Sequence, residues 1–527
     1  MGRVFNQNEL VGGEPIWILE VTIGGRVDRF ATEAVTIMDG ATALDYSGTL
    51  SDVGYESESA FGVVGFDIPS ANVVFTFRDS LAERIANGAD LGAASAELSL
   101  WILGQPYGDR RVVVQGGVDS PSYGGQGEPV RLSIEPDWLS KRKQIPSATA
   151  VITTANFSAH DPNCKGKTYP IILGACGREG FSGSPAYIID DGAASAVVKL
   201  LIAGHPTVAL TVDIERSNGA VYTKAIIFKT DNHGHPYSYV ELLGGEFTLG
   251  DTYWIRWSYG GGLPNPYRAI NNDNFESYLT GGGDLVRWLL EQSGITIDQG
   301  RVIAVAEVLN QYTFDGFIGE RVDPLEFLES EIAPLLPMSL LTSPAGIYPI
   351  AWRYNATALE ARATLTADQD MFRDGVVNYE KNTVANAITI RFQYDVQTTD
   401  LGRVQTVTGD PAAPLGDLQW RNDYAAASFT RYGERAIALE APMVSRPSTA
   451  GKILGWLSRA NAFRRRLVSY QAPIEWAWLD VGDVVIVNDS DLFFDRQLMI
   501  VRKIAWGETD LEFEFLIIPD LPRDIIK

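Results

Sequence analysis

The sequence predicts a mainly β protein with some α, made of several β-barrel or β-sandwich domains and one small α+β domain. Its 527 residues are 45% hydrophobic and 21% charged. This is the composition of a globular chain, long enough for about three to five domains. Short segments in which apolar and polar residues alternate recur between Gly, Asp and Ser clusters, a spacing typical of antiparallel strands. Helical spacing of apolar residues occurs in only a few segments.

Residues 1–140 are predicted to form an N-terminal β-barrel. Ile16–Ile23 alternates before a Gly-Gly pair, as a strand before a tight turn does. A hairpin is expected to run from Arg111–Val118 to Val130–Ile134 across a loop rich in Ser, Pro and Gly. A helix at Ser80–Asn87 is expected to cross one face.

Residues 141–261 are predicted to form a second β domain, which is a candidate inserted domain. Alternation and β-branched residues continue there at Ala196–Ile202, Val208–Ile214 and Val221–Phe228. We expect strands at all three.

Residues 262–375 are predicted to form the small α+β domain. Asp284 is expected to cap a helix over Leu285–Gln292, whose apolar residues fall on one face. Asp323 followed by Pro324 is expected to open another helix, and Pro334 and Pro337 to end it.

Residues 376–527 are predicted to form a C-terminal β domain with one long helix. Ala387–Tyr394 alternates over eight residues and is the strongest predicted strand of the chain. The helix is expected at Thr449–Val468, where apolar residues form one stripe. Three further strands are expected around Val484–Val487, Leu498–Ile504 and Leu511–Ile518.

The net charge, the number of cysteines and the lack of long apolar runs exclude several classes of protein from the prediction. With 66 acidic and 43 basic residues, the net charge is -23; such a field repels phosphate backbones, so a sequence-reading nucleic-acid binder is not expected. Cys164 and Cys176 are the only cysteines and are expected to be free thiols in a reducing cytoplasm. The residues after Met1 contain no apolar core, and no apolar run approaches membrane-spanning length. Neither a signal peptide nor a membrane span is therefore expected.

A serine loop is the most tempting catalytic motif. Gly180–Pro185 differs little from the loop around the nucleophile of chymotrypsin-like proteases. However, Phe181 stands at the acidic position, and His160 lies only 22 positions before Ser182, too close for that fold. A Gly/Ser turn between strands is favoured.

Other chemistry-bearing residues also have a simpler explanation. His160, Asp161, Cys164 and Cys176 fit no zinc-ligand spacing, and the pair His233 and His235 lies in a polar loop expected at the surface. The acidic pairs Glu329/Glu331 and Asp489/Asp491 are expected to be solvated, since nothing selects a catalytic pair. Arg464–Arg466 falls within the predicted long helix and is expected on a solvated face of that helix or in a salt-bridged subunit contact, in preference to a DNA contact. The residues Trp101, Trp138, Trp254 and Trp257 are expected to fill cores or interfaces. No catalytic, cofactor-binding or metal-binding residue is assigned.

The order of these segments resembles the tail-hub or baseplate proteins of tailed bacteriophages. The resemblance is carried by Gly108–Gly116 leading to Gly127–Ile134, by Asp284–Gly294 with Asp323–Pro337, and by the C-terminal run from Val384 to Val487 with its Gly-Asp turn. Residues 145–260 contribute little to it. The resemblance implies a non-enzymatic structural protein of the virion, made and assembled in the host cytoplasm and placed at the tail tip or baseplate.

The resemblance also implies how such a protein works. Residues 1–140 and 376–527 would be two tube-type β domains, so that three chains form a pseudo-sixfold ring. The homotrimer would close the tail tube, adapt sixfold to threefold symmetry and form part of the DNA-ejection conduit. Its partners would be the distal tail protein, the tape measure protein and tail fibres or spikes. DNA would only pass through, no cofactor would be needed, and no stable membrane insertion is expected.

Two alternatives belong to other classes. A tail-associated polysaccharide-degrading enzyme or peptidase would need converging carboxylates or a working Ser182 site. A carbohydrate-binding receptor-recognition protein would use exposed tryptophans as stacking platforms.

Overall fold

A computed structural model of the chain describes residues 14–58, 71–76, 79–124, 128–135, 143–177, 181, 183–248, 250–257, 262–268, 277–372, 375–380, 384–507 and 510–518. Strands dominate these ranges and helices are fewer, which confirms the predicted mainly β fold with some α. Most of the strands belong to one large sheet and two smaller ones.

The first nine strands build one half of the large sheet. They are β1 Pro15–Ile23, β2 Arg26–Ala31, β3 Val35–Asp39, β4 Thr42–Gly48, β5 Leu50–Glu58, β6 Ala71–Thr76, β7 Ser95–Ile102, β8 Arg111–Ser122 and β9 Pro129–Glu135. Helix α1, Asp79–Ala86, confirms the helix predicted there. The predicted hairpin is also confirmed, because β8 pairs with β9 in antiparallel register. Strand β8 continues further than expected and shifts register between Asp119 and Ser122, as at a β-bulge.

The next strands form a separate seven-stranded sheet. After the short β10, Ile171–Leu173, they are β11 Ser184–Asp190, β12 Val197–Ala203, β13 Thr211–Arg216, β14 Val221–Ala225, β15 Ile227–Thr230, β16 Pro236–Leu243 and β17 Tyr253–Arg256. Their order is β14-β13-β17-β11-β12-β16-β15. The two end strands are joined through Ile226 alone, so the sheet curls until its ends meet. Its inner face packs Leu200, Ile214, Val240 and Ile255 into a core of its own.

Helices and short strands follow. Their bounds are α2 Gly282–Gln292, α3 Gln299–Leu309, β18 Gly316–Ile318, α4 Pro324–Phe327, β19 Met338–Ser343 and β20 Gly346–Ala351. The side chain of Asp323 accepts from the backbone N–H groups of Leu325 and Glu326, which confirms the predicted cap. The chain then makes one wide helical turn and a tight one ending at Leu335. Helix α3 was not predicted, because its apolar residues do not form one stripe.

The predicted cap of α2 is wrong. The capping residue is Gly281, and Asp284 lies inside the first turn. The helix begins earlier because the two glycines that start it meet α3: a Cβ at Gly283 would lie 2.0 Å from the carbonyl oxygen of Ala306. Asp284 is instead buried and accepts from Asn310 Nδ2 at 3.0 Å.

The C-terminal third adds ten strands and two helices. They are β21 Ala363–Thr366, β22 Val376–Tyr379, β23 Ala387–Asp395, β24 Asp400–Thr408, β25 Gln419–Arg421, α5 Asp423–Tyr432, β26 Ala436–Ala441, α6 Pro447–Asn461, β27 Arg466–Pro473, β28 Val484–Asp489, β29 Phe494–Trp506 and β30 Asp510–Ile517. The strongest predicted strand, β23, and the three last ones are confirmed. Strands β23 to β26 form a four-stranded sheet on which α6 packs. Helix α5 was not predicted. At the predicted Gly-Asp turn, Gly482 has a φ of +93° two residues before β28 begins.

The long helix is shorter than predicted. It ends at Asn461 instead of Val468, so Arg464–Arg466 lies outside it. The residues Leu467 and Val468 fit the helical stripe in sequence, but they pair with Leu516 and Phe515 as part of β27. Strand pairing in the folded chain has overridden the local helical pattern.

The two ends of the chain share the large sheet. Its order is β22-β27-β30-β29-β5-β6-β9-β8-β7-β1-β2-β4-β3, with β28 and β21 beside β29. The halves meet where β29 pairs with β5, opposing Trp506 to Tyr55. Trp17 packs edge-on against Trp506, with the ring centroids 5.9 Å apart. The division into domains at 140, 261 and 375 stays a prediction.

A buried carboxylate holds the middle of the chain together. The Asp315 side chain is 0% exposed, and its Oδ1 accepts from the Ala175 N–H at 2.8 Å and from Thr280 Oγ1 at 3.1 Å. Its Oδ2 accepts from Ser445 Oγ at 2.5 Å and from Arg446 Nε at 3.1 Å. One side chain thus ties β10, α2, β18 and α6 to each other.

A buried histidine is a second interior joint. His205 Nε2 accepts the backbone N–H of Ile172 at 2.9 Å, which leaves Nδ1 as the protonated nitrogen, donating to the Pro206 carbonyl at 2.6 Å. Burial lowers the pKa of His205 to about 4. The neutral ring therefore bridges β10 and the segment after β12.

We expect the Asp315→Ala substitution to destabilise the protein by about 3–5 kcal/mol, because it removes a buried carboxylate that accepts hydrogen bonds from the partly buried Arg446 guanidinium and from three other donors. The thermal unfolding midpoint, followed by circular dichroism, measures the loss. The control is Asp400→Ala, which removes an exposed partner of Arg391 and should change stability by less than about 1 kcal/mol. Equal midpoints for the two variants would contradict the assigned role of Asp315.

We expect His205 to make stability fall as the pH drops from about 6.5 towards 4. The folded-state pKa lies below the ordinary value of 6.5, so in that window the unfolded chain binds the extra proton and is favoured. The loss between pH 7 and pH 5 should be about 2 kcal/mol. Unfolding midpoints at both pH values, compared with those of His205→Gln, isolate this part from the carboxylates. A variant with the same pH dependence as the wild type would refute it.

Candidate functional site

The candidate site is the pair of end strands of the large sheet, and we call these strands the β3 edge and the β22 edge. Among the described strands, β3 pairs only with β4, and β22 pairs only with β27. An end strand carries a row of main-chain N–H and C=O groups that can pair with another chain. The protein therefore presents two places where its sheet can be extended.

The β3 edge is partly apolar and is surrounded by acids. Ile37 is buried, but the Met38 side chain is 53% exposed. Between positions 33 and 48 the charged residues are Glu33, Asp39 and Asp45, all exposed, and no Lys or Arg occurs. Thr36 Oγ1 donates to Asp45 Oδ1 at 2.7 Å across the hairpin. This end of the sheet is negatively charged.

The β22 edge is apolar and lies beside arginines. Val376 is 56% exposed and Tyr379 is 63% exposed. Tyr379 pairs with Arg466 at the start of β27. A cavity of about 480 Å³ opens at this corner, between the ends of α5 and α6 and strands β22, β27 and β30. Its described lining residues are Tyr354, Tyr379, Arg431, Tyr432, Ala460, Phe463, Arg464, Arg465, Arg466, Leu516 and Ile517. We call this the arginine cavity.

Positive charge predominates among the described lining residues of the arginine cavity. Arg465 NH1 lies 3.2 Å from Glu380 Oε2, and Arg502 NH2 lies 3.7 Å from the other oxygen of the same carboxylate. Within the described part of the chain, no carboxylate pairs with Arg431, Arg464 or Arg466, and none is among the described lining residues. The prediction that Arg464–Arg466 lies on the long helix is wrong, because these arginines lie between the ends of α5 and α6 and strands β22, β27 and β30 of the large sheet.

In a second large cavity, the arginines are paired with carboxylates. It has a volume of about 490 Å³ and lies between β8, α3 and the loop before β28. There Asp480 accepts from both Arg111 and Arg301, each at 3.2 Å, while Arg301 also faces Asp298. These charges are matched within the chain and serve to join its two halves.

The serine loop is only partly described, and Ser182 lies outside the described residues. The ring of Phe181 lies against β24, where a Cβ at Gly402 would come within 2.0 Å of it. Phe181 thus has a packing role at the position where the protease motif needs an acid.

The suspected metal ligands are accounted for by local structure. His160 Nδ1 is bonded to the Phe157 carbonyl at 2.7 Å, and Asp161 caps a short helical turn at Pro162. Cys164 and Cys176 are free thiols, as predicted, and burial raises the pKa of both. Within the described ranges, no three His, Cys, Asp or Glu side chains are placed to hold a metal ion.

The other histidine pair is divided between surface and interior. His233 is exposed, as predicted. His235 is half-buried, and its Nε2 lies 2.7 Å from Thr149 Oγ1. Backbone N–H groups of both residues donate to Asp231 Oδ1, so the loop is a capped turn.

One member of each acidic pair, Asp489 and Glu331, is at least half-buried. Asp489 is buried and accepts from Tyr470 at 2.6 Å and from the N–H of Asp491 at 2.9 Å, contrary to the predicted solvated surface. Glu331 is half-buried and lines a cavity of about 220 Å³ together with Asp315. The four hydrogen bonds of Asp315 commit that carboxylate to holding the fold.

The tryptophans lie mainly inside. Trp101 and Trp257 are buried, and their ring N–H groups donate to the Gln105 carbonyl and to Ser184 Oγ. Trp254 is half-buried within β17. Trp138 lies outside the described residues. A stacking platform for sugars is not formed by the three described rings.

Sequence reasoning missed the residues that hold the interior, Asp315 and His205. No local signal marks either one, because their partners come from distant parts of the chain. No helix in the described ranges has the length and apolar content needed to cross a membrane.

Several solved structures share a remote likeness with the chain. A tail protein from Neisseria meningitidis MC58 is 10% identical with a TM-score of 0.41, over 95% of this chain and 96% of that one. The 43 kDa tail protein of prophage MuSo2 from Shewanella oneidensis is 11% identical with a TM-score of 0.39, over 97% and 100%.

One family model matches part of the sequence. No curated protein matches it, but residues 415–502, from just before β25 into β29, match the family model described as "Putative phage tail protein". The match covers residues 415–502 and agrees with the predicted resemblance to phage tail proteins and with the predicted location in a virion.

Proposed function

We propose that this protein is a tail hub, a structural subunit that forms a trimeric ring closing the tail tube at the tail tip or baseplate. The observation that carries the proposal is the shared sheet: strands from residues 15–135 and from residues 363–517 continue each other through the β5–β29 pair. A subunit with two β halves side by side presents two tube-like units, so three copies present six.

The ring needs head-to-tail contacts. Threefold rings form when one surface of a subunit binds a different surface of the next copy and the rotation closes. The large sheet has two unlike ends on one chain, which is the arrangement that such a contact requires. The ring would adapt a sixfold tail component to a threefold spike or fibre and surround the path of DNA during ejection.

The same proposal covers partners and chemistry. The distal tail protein and the tape measure protein would lie against the sixfold face, and fibres or spikes against the threefold face. The role uses interfaces and turns over no substrate. The net charge of -23 suits a conduit through which DNA passes without binding.

We expect the purified full-length protein to be a trimer, alone or after mixing with lysate from phage-producing cells. Native mass spectrometry and light scattering measure the mass, and electron microscopy of the trimer should show a ring. An obligate ring contact typically buries about 2,000 Å² or more, so the trimer should persist at micromolar concentration.

The hub proposal also specifies the result that would contradict it. A chain that stays monomeric under both conditions and degrades a peptidoglycan or capsule preparation would overturn the hub proposal in favour of an enzyme. Incubating the purified protein with those substrates and measuring released sugars and peptides is the matching assay.

A further inference from the structure

We propose that the β3 edge of one copy adds to the β22 edge of the next copy, with the acids around β3 facing the arginine cavity. The inference rests on the proposed ring and names the contact that would close it. It follows from two features that the ring proposal does not use: the unlike charges of the two edges and the unmatched arginines beside one of them.

The first step concerns the main chain. Strand β3 has five residues and strand β22 has four, so adding one to the other forms a ladder of about four residues. Each strand is already held by one neighbour, β4 or β27. The row of N–H and C=O groups on its other side can therefore pair without any rearrangement of the sheet.

The second step concerns the apolar side chains. Met38 on β3 and Val376 and Tyr379 on β22 are each more than half exposed in the isolated chain. Strand addition covers side chains of this kind on both partners, which stabilises the contact by removing apolar area from water. Pairing of the β3 edge with the β22 edge would therefore bury exposed apolar side chains on both strands.

The third step concerns charge and decides the partner. Arg431, Arg464 and Arg466 surround the arginine cavity without a carboxylate partner in the described part of the chain, although the protein has 66 acidic residues. The β3 edge carries Glu33, Asp39 and Asp45 with no basic residue among them. Opposite potentials favour pairing of unlike edges, whereas two β3 edges or two β22 edges repel each other.

The contrast with the second cavity strengthens the inference. Around Asp480 the arginines are neutralised within the chain, so the fold can match charges where it needs to. At the β22 edge Arg431, Arg464 and Arg466 have no carboxylate partner among the described residues, and β22 pairs with β27 alone among the described strands. The partner that fits both features is an acidic strand, and a second copy of this chain supplies one.

The test uses charge reversal in the full-length protein. Asp39→Arg with Asp45→Arg should convert the trimer to monomer, and so should Arg464→Glu with Arg466→Glu, because each places like charges across the contact. The dissociation constant should rise by about tenfold or more in each case. The variant carrying all four substitutions restores opposite charges at every contact and should form trimers again. Analytical ultracentrifugation across a concentration series measures all of these.

The matched control is Glu83→Arg with Asp417→Arg. Both residues are exposed and lie away from the two edges, on α1 and in the loop before β25. This variant changes the net charge as much as the β3 variant does and should remain trimeric. Thermal unfolding of each variant shows whether its subunit is folded, and if one double variant folds poorly the other double variant and the cross-linking experiment keep the test decisive.

A cross-linking experiment gives a second readout. Met38→Cys combined with Val376→Cys, treated with a short bis-maleimide, should give covalent dimers and trimers, while each single substitution should not. The linked peptides, identified by mass spectrometry, should contain position 38 from one copy and position 376 from another.

The outcomes separate this inference from the hub proposal. Trimers that persist in both double variants would overturn the edge contact and leave the ring standing. Double variants that stay trimeric but lose a different tail protein would assign the charged edge to that protein instead. A wild type that never forms trimers would overturn both.

Discussion

The buried carboxylate of Asp315 is the constraint on which the rest of the structure depends. It carries no exposed surface and is held by four donors from three other segments of the chain. A buried carboxylate without hydrogen-bond donors would be strongly destabilising. The segments next to β10, α2 and α6, which supply the donors, must therefore all be in place for the fold to be stable. The surrounding backbone is correspondingly tight, since a Cβ at Gly174 would lie 2.0 Å from Asp315 Oδ1. The seven-stranded sheet, the helices and the four-stranded sheet are positioned from this point.

The large sheet depends in turn on that positioning. Glu58 pairs with Lys503, 445 positions further along the chain, and closing so long a loop is entropically costly unless the intervening segments are already compact. The Asp315 joint and the Arg111–Asp480–Arg301 network supply that compaction from two sides. Because the halves join at β5 and β29, the two remaining end strands are left at opposite ends of the sheet order. The surfaces available for assembly are therefore set by interactions in the interior.

The charged residues of the interior and those of the β22 edge differ in how they are paired. A total of -23 would lead one to expect every arginine to find a carboxylate, and in the interior many do. The arginine cavity departs from this pattern in the part of the chain that the structure describes, and it lies beside β22, which pairs there with β27 alone. Much of that cavity is built from residues 431–466, inside the segment that matches the phage tail family. An unmatched patch of charge at a sheet end is a feature of a surface that binds a partner.

The sequence by itself determined the elements whose pattern is local. The alternation of β23, the Asp323 cap of α4 and the Gly-Asp turn before β28 were all predictable, because each depends on neighbouring residues. It also predicted a mainly β tail protein without a metal or catalytic motif. Tertiary structure alone decided where the helix of residues 447–461 ends, because Leu467 takes a strand partner 49 positions later, Leu516. It likewise decided that Gly281 caps α2, that Asp489 is buried and that the arginines at 464–466 border a cavity. In each case the deciding partner comes from a distant part of the chain, and local pattern contains no information about it.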